Sequence, residues 1–508
     1  MSPDSMALDG SSRLPKIPDL PLELITEIAL CLDWTDVLTL RQTCKLFHGV
    51  SKSRPVWESL LYRAQSSVVI PVKLERPIEH FALEELEHKA LQLFTAKIDW
   101  ITNTPIERRY SLDNITVASS HLVEGGRWFL IATNKGSLLY YDLDKVHDNP
   151  RTLVAGQFFS PKQVVMCVDR DVQESFLTLT VVLHYSDYAY DSDDSDDSDS
   201  DQVLLNEFQF WKVSLCINDS GTSESFLAAS QMASFTQSND GASTVCCLSI
   251  CGKQLAFGAY YSNERGALPY AIVISDWTTI RESIDSHPKR IIRHAGHPRY
   301  LPFEVQLIPN ETLWISASTY GGSTRLYALQ SIQTTTSLPP PPWLAPLVGT
   351  PHIWQNDAAT RMHIRGIASR QFYHAPSNSA RFVLEGQGCS WGLYIPLDAS
   401  PASISGDNLL SRLADHDLLG QAYSLGSSYH YTVLYHWTRQ QLHFLRHIWP
   451  DDQDTDSLCP VRWKTDFIIG LEAITHHAVD GCSGRIVLCT SEYFSILDLA
   501  RYTPHTCM

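Results

Sequence analysis

The hydrophobic pattern of the chain changes its period once. In residues 19–100, apolar residues recur every three or four positions, which is the spacing of one face of an α-helix. From about Tyr110 onward they alternate with polar residues in short runs separated by Gly, Asn and Asp, which is typical of β-strands. The sequence therefore predicts a mixed, mainly β protein with a disordered N-terminus (residues 1–15), a helical region, and a β domain at residues 110–505.

The first helical segment is too apolar for a solvated tail and too short to bury itself. Leu24, Ile28 and Leu32 lie four positions apart and predict a first helix. Thr35 is a suitable N-cap for a second helix, and Ser53 precedes a third. Three short helices form only a small core. The surplus apolar surface predicts a partner-binding site.

This segment resembles the F-box. Residues 20–23 (Leu-Pro-Leu-Glu) match the opening of the family pattern, residues 33–36 match the break after the first helix, and Trp57 matches the closing tryptophan. The resemblance places an F-box at residues 16–63. It implies that the segment docks on a Skp-type adaptor, which bridges to a cullin–RING ubiquitin ligase.

The resemblance assigns adaptor binding to apolar residues of all three predicted helices. These residues are Leu20, Pro21, Leu24, Ile28, Leu32, Val37, Leu38, Leu40 and Trp57. Each is compatible with the adaptor interface and with the F-box's own core, so the sequence leaves both roles open. For the whole segment, the alternative is a helical cap packed on the rest of the chain.

A linker at residues 64–109 is predicted to contain one amphipathic helix, at residues 78–98. Leu83, Leu86, Ala90 and Leu93 form its apolar stripe. A similar helix follows the F-box in many fungal F-box proteins with a β-rich C-terminus. We expect the helix to pack on the β domain and to fix its direction relative to the adaptor.

Seven aromatic strands recur along the β domain at intervals of about 50 to 72 residues. They end at Leu143, Leu215, Trp277, Leu329, Leu397, Trp449 and Ala500. Antiparallel units at this period predict a β-propeller. We predict seven blades; six or eight blades, or a pair of β-sandwiches, are the alternatives.

The net charge of the chain limits the classes of partner that we expect it to bind. Among 508 residues, 56 are Asp or Glu and 39 are Lys or Arg, giving a net charge of −17. Because neutralising phosphates requires Lys and Arg, we expect neither a nucleic-acid partner nor binding to an anionic membrane. Much of the excess lies in residues 186–202, which are predicted to be a disordered acidic insertion within the β domain.

Four serines in this acidic insertion are candidate phosphorylation sites. Ser192, Ser195, Ser198 and Ser200 lie in contexts that an acidophilic, casein-kinase-type enzyme favours. Each phosphate would add about −1.5 to −2 charges. The alternative is an inert solvated insertion.

No cofactor or metal site is predicted. The 12 cysteines lack zinc-finger spacing, and a chain of this length does not need disulfides, so we expect a reducing cytoplasmic or nuclear environment. The N-terminus has no signal-peptide apolar region, and no segment reaches the roughly 20 apolar residues of a membrane helix. His476 and His477 are adjacent in a predicted strand, where they point to opposite faces.

One motif resembles a catalytic site. Residues 388–392 (Gly-Cys-Ser-Trp-Gly) match the G-x-S-x-G pattern of α/β-hydrolases around Ser390. That motif needs a strand before the serine and a helix after it. The residues after Ser390 have a strand pattern, so we predict a hairpin at this position.

These features predict a non-catalytic substrate-receptor subunit of a Skp–cullin–F-box ubiquitin ligase. The F-box would bind the adaptor, and the propeller would bind a protein target that the sequence does not identify. The alternatives are an adaptor-bound scaffold that degrades nothing, and a serine hydrolase around Ser390 with a helical cap.

Overall fold

The computed structural model describes most of the chain. The described residues are 20–65, 73–98, 106–145, 149–156, 163–188, 204–218, 225–237, 243–261, 270–294, 303–317, 324–336, 354–356, 364–367, 369–386, 389–398, 409–415, 422–436, 441–451, 462–464 and 474–500. Within these ranges, no helix has the length and apolar character needed to cross a membrane.

The N-terminal region contains five α-helices. They are α1 (Leu22–Leu30), α2 (Trp34–Arg41), α3 (Lys45–Ser51), α4 (Arg54–Gln65) and α5 (Leu83–Ile98). The sequence predicts a single helix where the structure has α2 and α3. In the structure, Cys44 adopts an extended conformation that divides the two helices. Asp33, and not Thr35, is the residue before the first turn of α2.

The linker helix begins later than the sequence predicts. A 3-10 turn at Ile78–His80 precedes α5, and the intervening Phe81 is extended. The carboxylate of Glu85 accepts a hydrogen bond from the backbone N–H of Ala82 (2.7 Å), which satisfies a donor at the start of α5. The predicted stripe of α5 is buried at Leu86, Ala90 and Leu93.

In the part of the chain that the structure describes, thirty strands form seven antiparallel sheets. The first blade contains β2 (Val117–Leu122), β3 (Trp128–Thr133), β4 (Leu138–Asp142) and β5 (Arg151–Val154), and the second β6 (Gln163–Arg170), β7 (Thr178–Tyr188), β8 (Leu204–Ile217) and β9 (Ser225–Gln237). The third contains β10 (Ser243–Cys251), β11 (Gln254–Tyr261), β12 (Tyr270–Asp276), β13 (Lys289–His294) and β17 (Thr334–Thr335), and the fourth β14 (Phe303–Ile308), β15 (Thr312–Ala317), β16 (Thr324–Ala328) and β18 (Trp354–Asn356).

The last three blades complete the ring. The fifth contains β19 (Ile364–Ile367), β20 (Phe372–His374), β21 (Ser379–Gly386), β22 (Cys389–Pro396) and β23 (Leu410–Asp415), and the sixth β24 (Ala422–Ser427), β25 (Tyr431–His436), β26 (Gln441–Arg446) and β27 (Arg462–Lys464). The seventh contains β28 (His476–Asp480), β29 (Arg485–Cys489), β30 (Tyr493–Asp498) and β1 (Ile106–Ser111).

This arrangement is a seven-bladed β-propeller-like ring, so the predicted fold class and blade number are confirmed. The first strands of neighbouring blades adjoin one another, for example β2 with β6, β6 with β10, and β28 with β2. The seven aromatic strands that the sequence marks as ends of units are the third strands of the blades. In the first six blades a fourth strand follows the third along the chain, whereas the seventh blade takes its fourth strand, β1, from the start of the β domain.

The ring closes through pairing of its first and last strands. β1 pairs with β30 from Ile106 opposite Asp498 to Ser111 opposite Tyr493. The rings of Tyr110 and Phe494 stack across this pair, with centroids 4.9 Å apart. This pairing joins the two ends of the β domain in one sheet, although the two strands are far apart in sequence.

The F-box helices and α5 share one core. Trp57, Leu60 and Leu61 of α4 are buried together with Leu86 and Leu91 of α5. Part of the apolar surface that the F-box leaves uncovered is therefore covered by the linker helix of the same chain.

The linker packs on one face of the propeller, which we call the F-box face. This face has the turns that join the first and second strands of each blade. In the first blade, Gly125 O accepts a hydrogen bond from Lys89 Nζ of α5 (3.0 Å). In the second, the Leu177 N–H donates to Glu75 O (2.6 Å). In the seventh, Cys482 packs against the helical core.

Glu75 is the central contact of this packing. Its carboxylate accepts hydrogen bonds from Arg127 Nη1 (2.7 Å) and from the indole N–H of Trp128 (2.9 Å). Arg127 also pairs with Asp142 (2.8 Å), and all three charged side chains are largely buried. Charged hydrogen bonds in such surroundings are directional, so they fix the linker in one position on the first blade.

The buried turn at Gly126 allows a prediction for the substitution of this glycine by alanine. Gly126 has φ +72°, and an added Cβ would lie 1.9 Å from Ser483 Oγ, which is held by Asp480 (2.6 Å). We expect Gly126→Ala to cost about 1–2 kcal/mol for the left-handed backbone and a further 1–3 kcal/mol for overpacking. Gly252→Ala is the control, because Gly252 has φ +56° and open space around it. Equal shifts in denaturant midpoint for the two variants would contradict the steric argument.

Removal of the Glu75 carboxylate tests the packing of the linker. We expect Glu75→Ala to cost about 2 kcal/mol, because the Trp128 indole loses its partner and Arg127 loses one of two carboxylates. Amide hydrogen exchange in α5 should become faster. Glu79→Ala is the matched control, since Glu79 is exposed and lies in the same linker. An unchanged exchange rate in Glu75→Ala, or the same change in both variants, would be evidence against this role of Glu75.

Asp144 makes part of the stability dependent on pH. Its carboxylate accepts a hydrogen bond from Arg485 Nη1 (2.6 Å). Burial raises the pKa of Asp144, but the cations Arg485, Lys89 and Arg127 outweigh burial and hold that pKa well below its usual range. The stabilising contribution is therefore complete above the unfolded-state pKa of about 4 and is lost as the pH falls toward the lower folded-state pKa.

We expect the difference in unfolding free energy between the wild type and Asp144→Asn to be constant from about pH 5 to pH 7 and to shrink in more acidic solution. Denaturant titrations across this range measure it. If the difference in unfolding free energy between the two proteins grew as the pH fell, it would contradict the expected pH dependence.

Candidate functional site: the F-box surface and the propeller face opposite it

The first helix presents an exposed apolar stripe. Leu24 and Ile28 lie one turn apart on α1, and their side chains are 51% and 46% exposed. Pro21, just before the helix, is also exposed. Ile25 and Ala29 of the same helix are buried in the helical core. α1 therefore uses one side for packing and leaves another, equally apolar side available to a partner.

Val37 and Trp57 lie inside the F-box. Both have no exposed surface. The indole N–H of Trp57 donates to Ser51 O (2.9 Å), and the Arg41 guanidinium lies over its ring at 5.5 Å from the centroid. In this structure both residues support the helices that hold the exposed stripe. Their contact with an adaptor stays a prediction from the family pattern.

The other predicted adaptor-binding residues are half-buried. Leu20, Leu32, Leu38 and Leu40 pack against the helical core with part of each side chain exposed. The sequence pattern does not select Leu22 and Leu46, yet they are 55% and 36% exposed and extend the apolar surface. Leu22 follows Pro21 directly, and its exposure depends on how α1 is rotated against α4, which residue spacing alone does not give.

The opposite side of the ring, which we call the distal face, has the turns that join the second and third strands of the blades. In the second blade these strands are long, and Tyr188 at the end of β7 pairs with Leu204 at the start of β8. The acidic insertion connects these two positions, so it is attached to the distal face. Ser192, Ser195, Ser198 and Ser200 lie outside the described residues, and their modification stays a prediction.

Arg370 joins three blades at the F-box end of the central space. Its Nη2 lies 3.2 Å from the buried carboxylate of Asp480 and contacts the carbonyl oxygens of Leu122 (3.4 Å) and Val479 (3.5 Å). A polar cavity of about 330 Å³ lies beside it, against the first strands of the sixth and seventh blades. Arg370 therefore links the fifth blade to the first and seventh blades.

The hydrolase interpretation of Ser390 is wrong, because the backbone around Ser390 does not have the geometry of a nucleophile elbow. Ser390 lies within β22 and pairs with Glu385 of β21, so a second strand stands where a nucleophile elbow needs a helix. The side chain is 2% exposed, and its oxygen lies 3.5 Å from Thr432 Oγ1. Thr432 in turn bonds His447 (2.7 Å), whose pKa burial lowers to about 3. This is a buried hydrogen-bond network that links blades.

The described residues contain no group of three or more His, Cys, Asp and Glu side chains arranged to hold a metal ion. His476 and His477 are consecutive residues of β28, and His476 contacts the neighbouring blade through Val117 O (3.1 Å).

A comparison with known protein families identifies the same N-terminal helical region. Residues 17–59 match the family model of the F-box domain. No curated protein matches the chain. An F-box followed by a propeller is typical of non-catalytic, substrate-recognising subunits. The chain thus contains an F-box domain at residues 17–59, and a seven-bladed β-propeller-like arrangement follows it.

Proposed function

We propose that this protein is a substrate receptor of a Skp–cullin–F-box ubiquitin ligase. The F-box binds a Skp-type adaptor through the exposed stripe of α1, and the propeller binds a protein target. The observation that carries the proposal is the pair Leu24 and Ile28, which remain exposed although α5 packs on the helical core. A few well-packed side chains near the centre of an interface commonly supply most of its binding energy.

The packing of the linker supports a positioning role. Glu75 and Lys89 bind backbone and side-chain groups of the first and second blades, so the F-box and the propeller are joined through buried polar contacts. A target held on the propeller would stay at a limited range of distances from the adaptor. This raises its effective concentration near the ubiquitin-charged enzyme without chemistry by the receptor itself.

The distal face is our candidate for target binding. The linker occupies turns of the first, second and seventh blades on the F-box face. The contacts that the described linker residues make with the propeller lie on the F-box face, and loops on a rigid ring can vary without disturbing its core. We place the activity in the cytosol or nucleus, since the described cysteines are free thiols, in keeping with a reducing compartment.

Truncation of part of the apolar surface at α1 should weaken adaptor binding without unfolding the protein. We expect Pro21→Ala combined with Leu24→Ala to weaken binding of a purified Skp-type adaptor sharply, because truncating a central contact costs about 2 kcal/mol, or roughly thirtyfold in affinity, per residue. Titration calorimetry with the full chain measures this. Met232→Ala is the control, because Met232 is 40% exposed on β9, away from the F-box.

Unchanged affinity of a folded double variant would overturn the docking assignment. The receptor and scaffold roles are separated by a second measurement in cells. Target turnover should slow in the double variant if the protein is a receptor. A bound partner whose lifetime is the same with wild type and variant would indicate a scaffold.

A further inference from the structure

Two consecutive cysteines lie side by side in the first strand of the third blade. In a regular strand, neighbouring side chains point to opposite faces. In β10 the register against β11 shifts, because Val245 pairs with Ala259 whereas Cys247 pairs with Gly258. Cys246 is the extra residue of this β-bulge. The two sulfur atoms lie 3.7 Å apart.

The surroundings leave room for chemistry at this pair. The cross-strand partner is Gly258, which has no side chain, and its carbonyl oxygen accepts a hydrogen bond from the Cys246 thiol (3.2 Å). Cys246 and Cys247 pack against the apolar layer between the third and fourth blades, and both remain partly exposed. Small reagents can therefore reach two thiols that are already in contact.

We propose that Cys246 and Cys247 form a vicinal dithiol that closes to a disulfide by exchange with a low-molecular-weight disulfide such as glutathione disulfide. The Cys246 thiol donates to a carbonyl, which favours its protonated form, so Cys247 is the first nucleophile. Its thiolate attacks one glutathione sulfur, the glutathione S–S bond breaks, and one glutathione thiolate leaves.

The second step forms the disulfide between Cys246 and Cys247. Cys246 loses its proton and attacks the Cys247 sulfur of the mixed disulfide, and the second glutathione thiolate leaves. The two cysteines lose two electrons in total, glutathione disulfide gains them, and the two protons go to the departing thiolates. The S–S bond of about 2.05 Å requires side-chain rotation from the present separation.

The resulting disulfide should be easy to reduce. Adjacent Cα atoms are about 3.8 Å apart, whereas disulfide-bonded residues usually have Cα atoms about 4.4–6.8 Å apart. The disulfide between these adjacent residues is therefore strained, and thiols readily reduce strained disulfides. We expect the dithiol in excess reduced glutathione and the disulfide only when glutathione disulfide is in excess.

The test uses the full chain and peptide mass spectrometry after incubation with excess glutathione disulfide and rapid acid quenching. In the wild type, the peptide containing both cysteines should lose the mass of two hydrogens and retain no glutathione. In Cys246→Ser, the second step is removed, so one glutathione should remain on Cys247. Excess reduced glutathione should restore the original mass in both proteins.

Cys216→Ser is the matched control, because Cys216 is a partly exposed thiol on β8, and this variant should close the Cys246–Cys247 ring as the wild type does. A stable glutathione adduct on Cys247 in the wild type, equal to that in Cys246→Ser, would overturn the proposal. So would a Cys246–Cys247 peptide that stays unmodified while Cys216 reacts. If Cys246→Ser does not fold, the mass of the wild-type peptide decides alone.

Discussion

The pairing of β1 with β30 is the constraint on which the rest of the structure depends. Each blade packs mainly on its two neighbours, so the ring is complete only when the seventh blade has its fourth strand. Arg485 reinforces this junction by binding Asp498 of β30 and Asp144 beyond the first blade's third strand. Because β1 directly follows the linker in sequence, the strand that closes the ring also brings α5 to the seventh and first blades.

Ring closure and linker packing therefore stabilise each other. Lys89 of α5 contacts Gly125, and Arg485 contacts the neighbouring Gly126 carbonyl (2.8 Å), so both cations bind one turn of the first blade. Disturbing that turn would affect the ring and the attachment of the F-box together. In the proposed receptor role, such an attachment would leave the bound target little freedom to move relative to the adaptor.

Local periodicity predicted the features that depend on neighbours in sequence. The third strand of every blade is aromatic and apolar, and counting these strands gave seven blades. Contacts between distant residues were not predictable in the same way. The sequence does not indicate that β1 joins the last blade, or that Glu75 pairs with Arg127. Leu24 and Val37 are similar in chemistry, but tertiary packing exposes one and buries the other.

The paired ends of β7 and β8 have a consequence for the length of the acidic insertion. Tyr188 and Leu204 are held opposite each other by an antiparallel ladder that continues to Thr178 and Ser214. The strand register is fixed by that ladder, whatever number of residues joins the two ends. Since the entropy of closing a loop grows only with the logarithm of its length, doubling the insertion would cost about 0.6 kcal/mol. This position is thus suited to natural variation in length, and to an inserted reporter peptide.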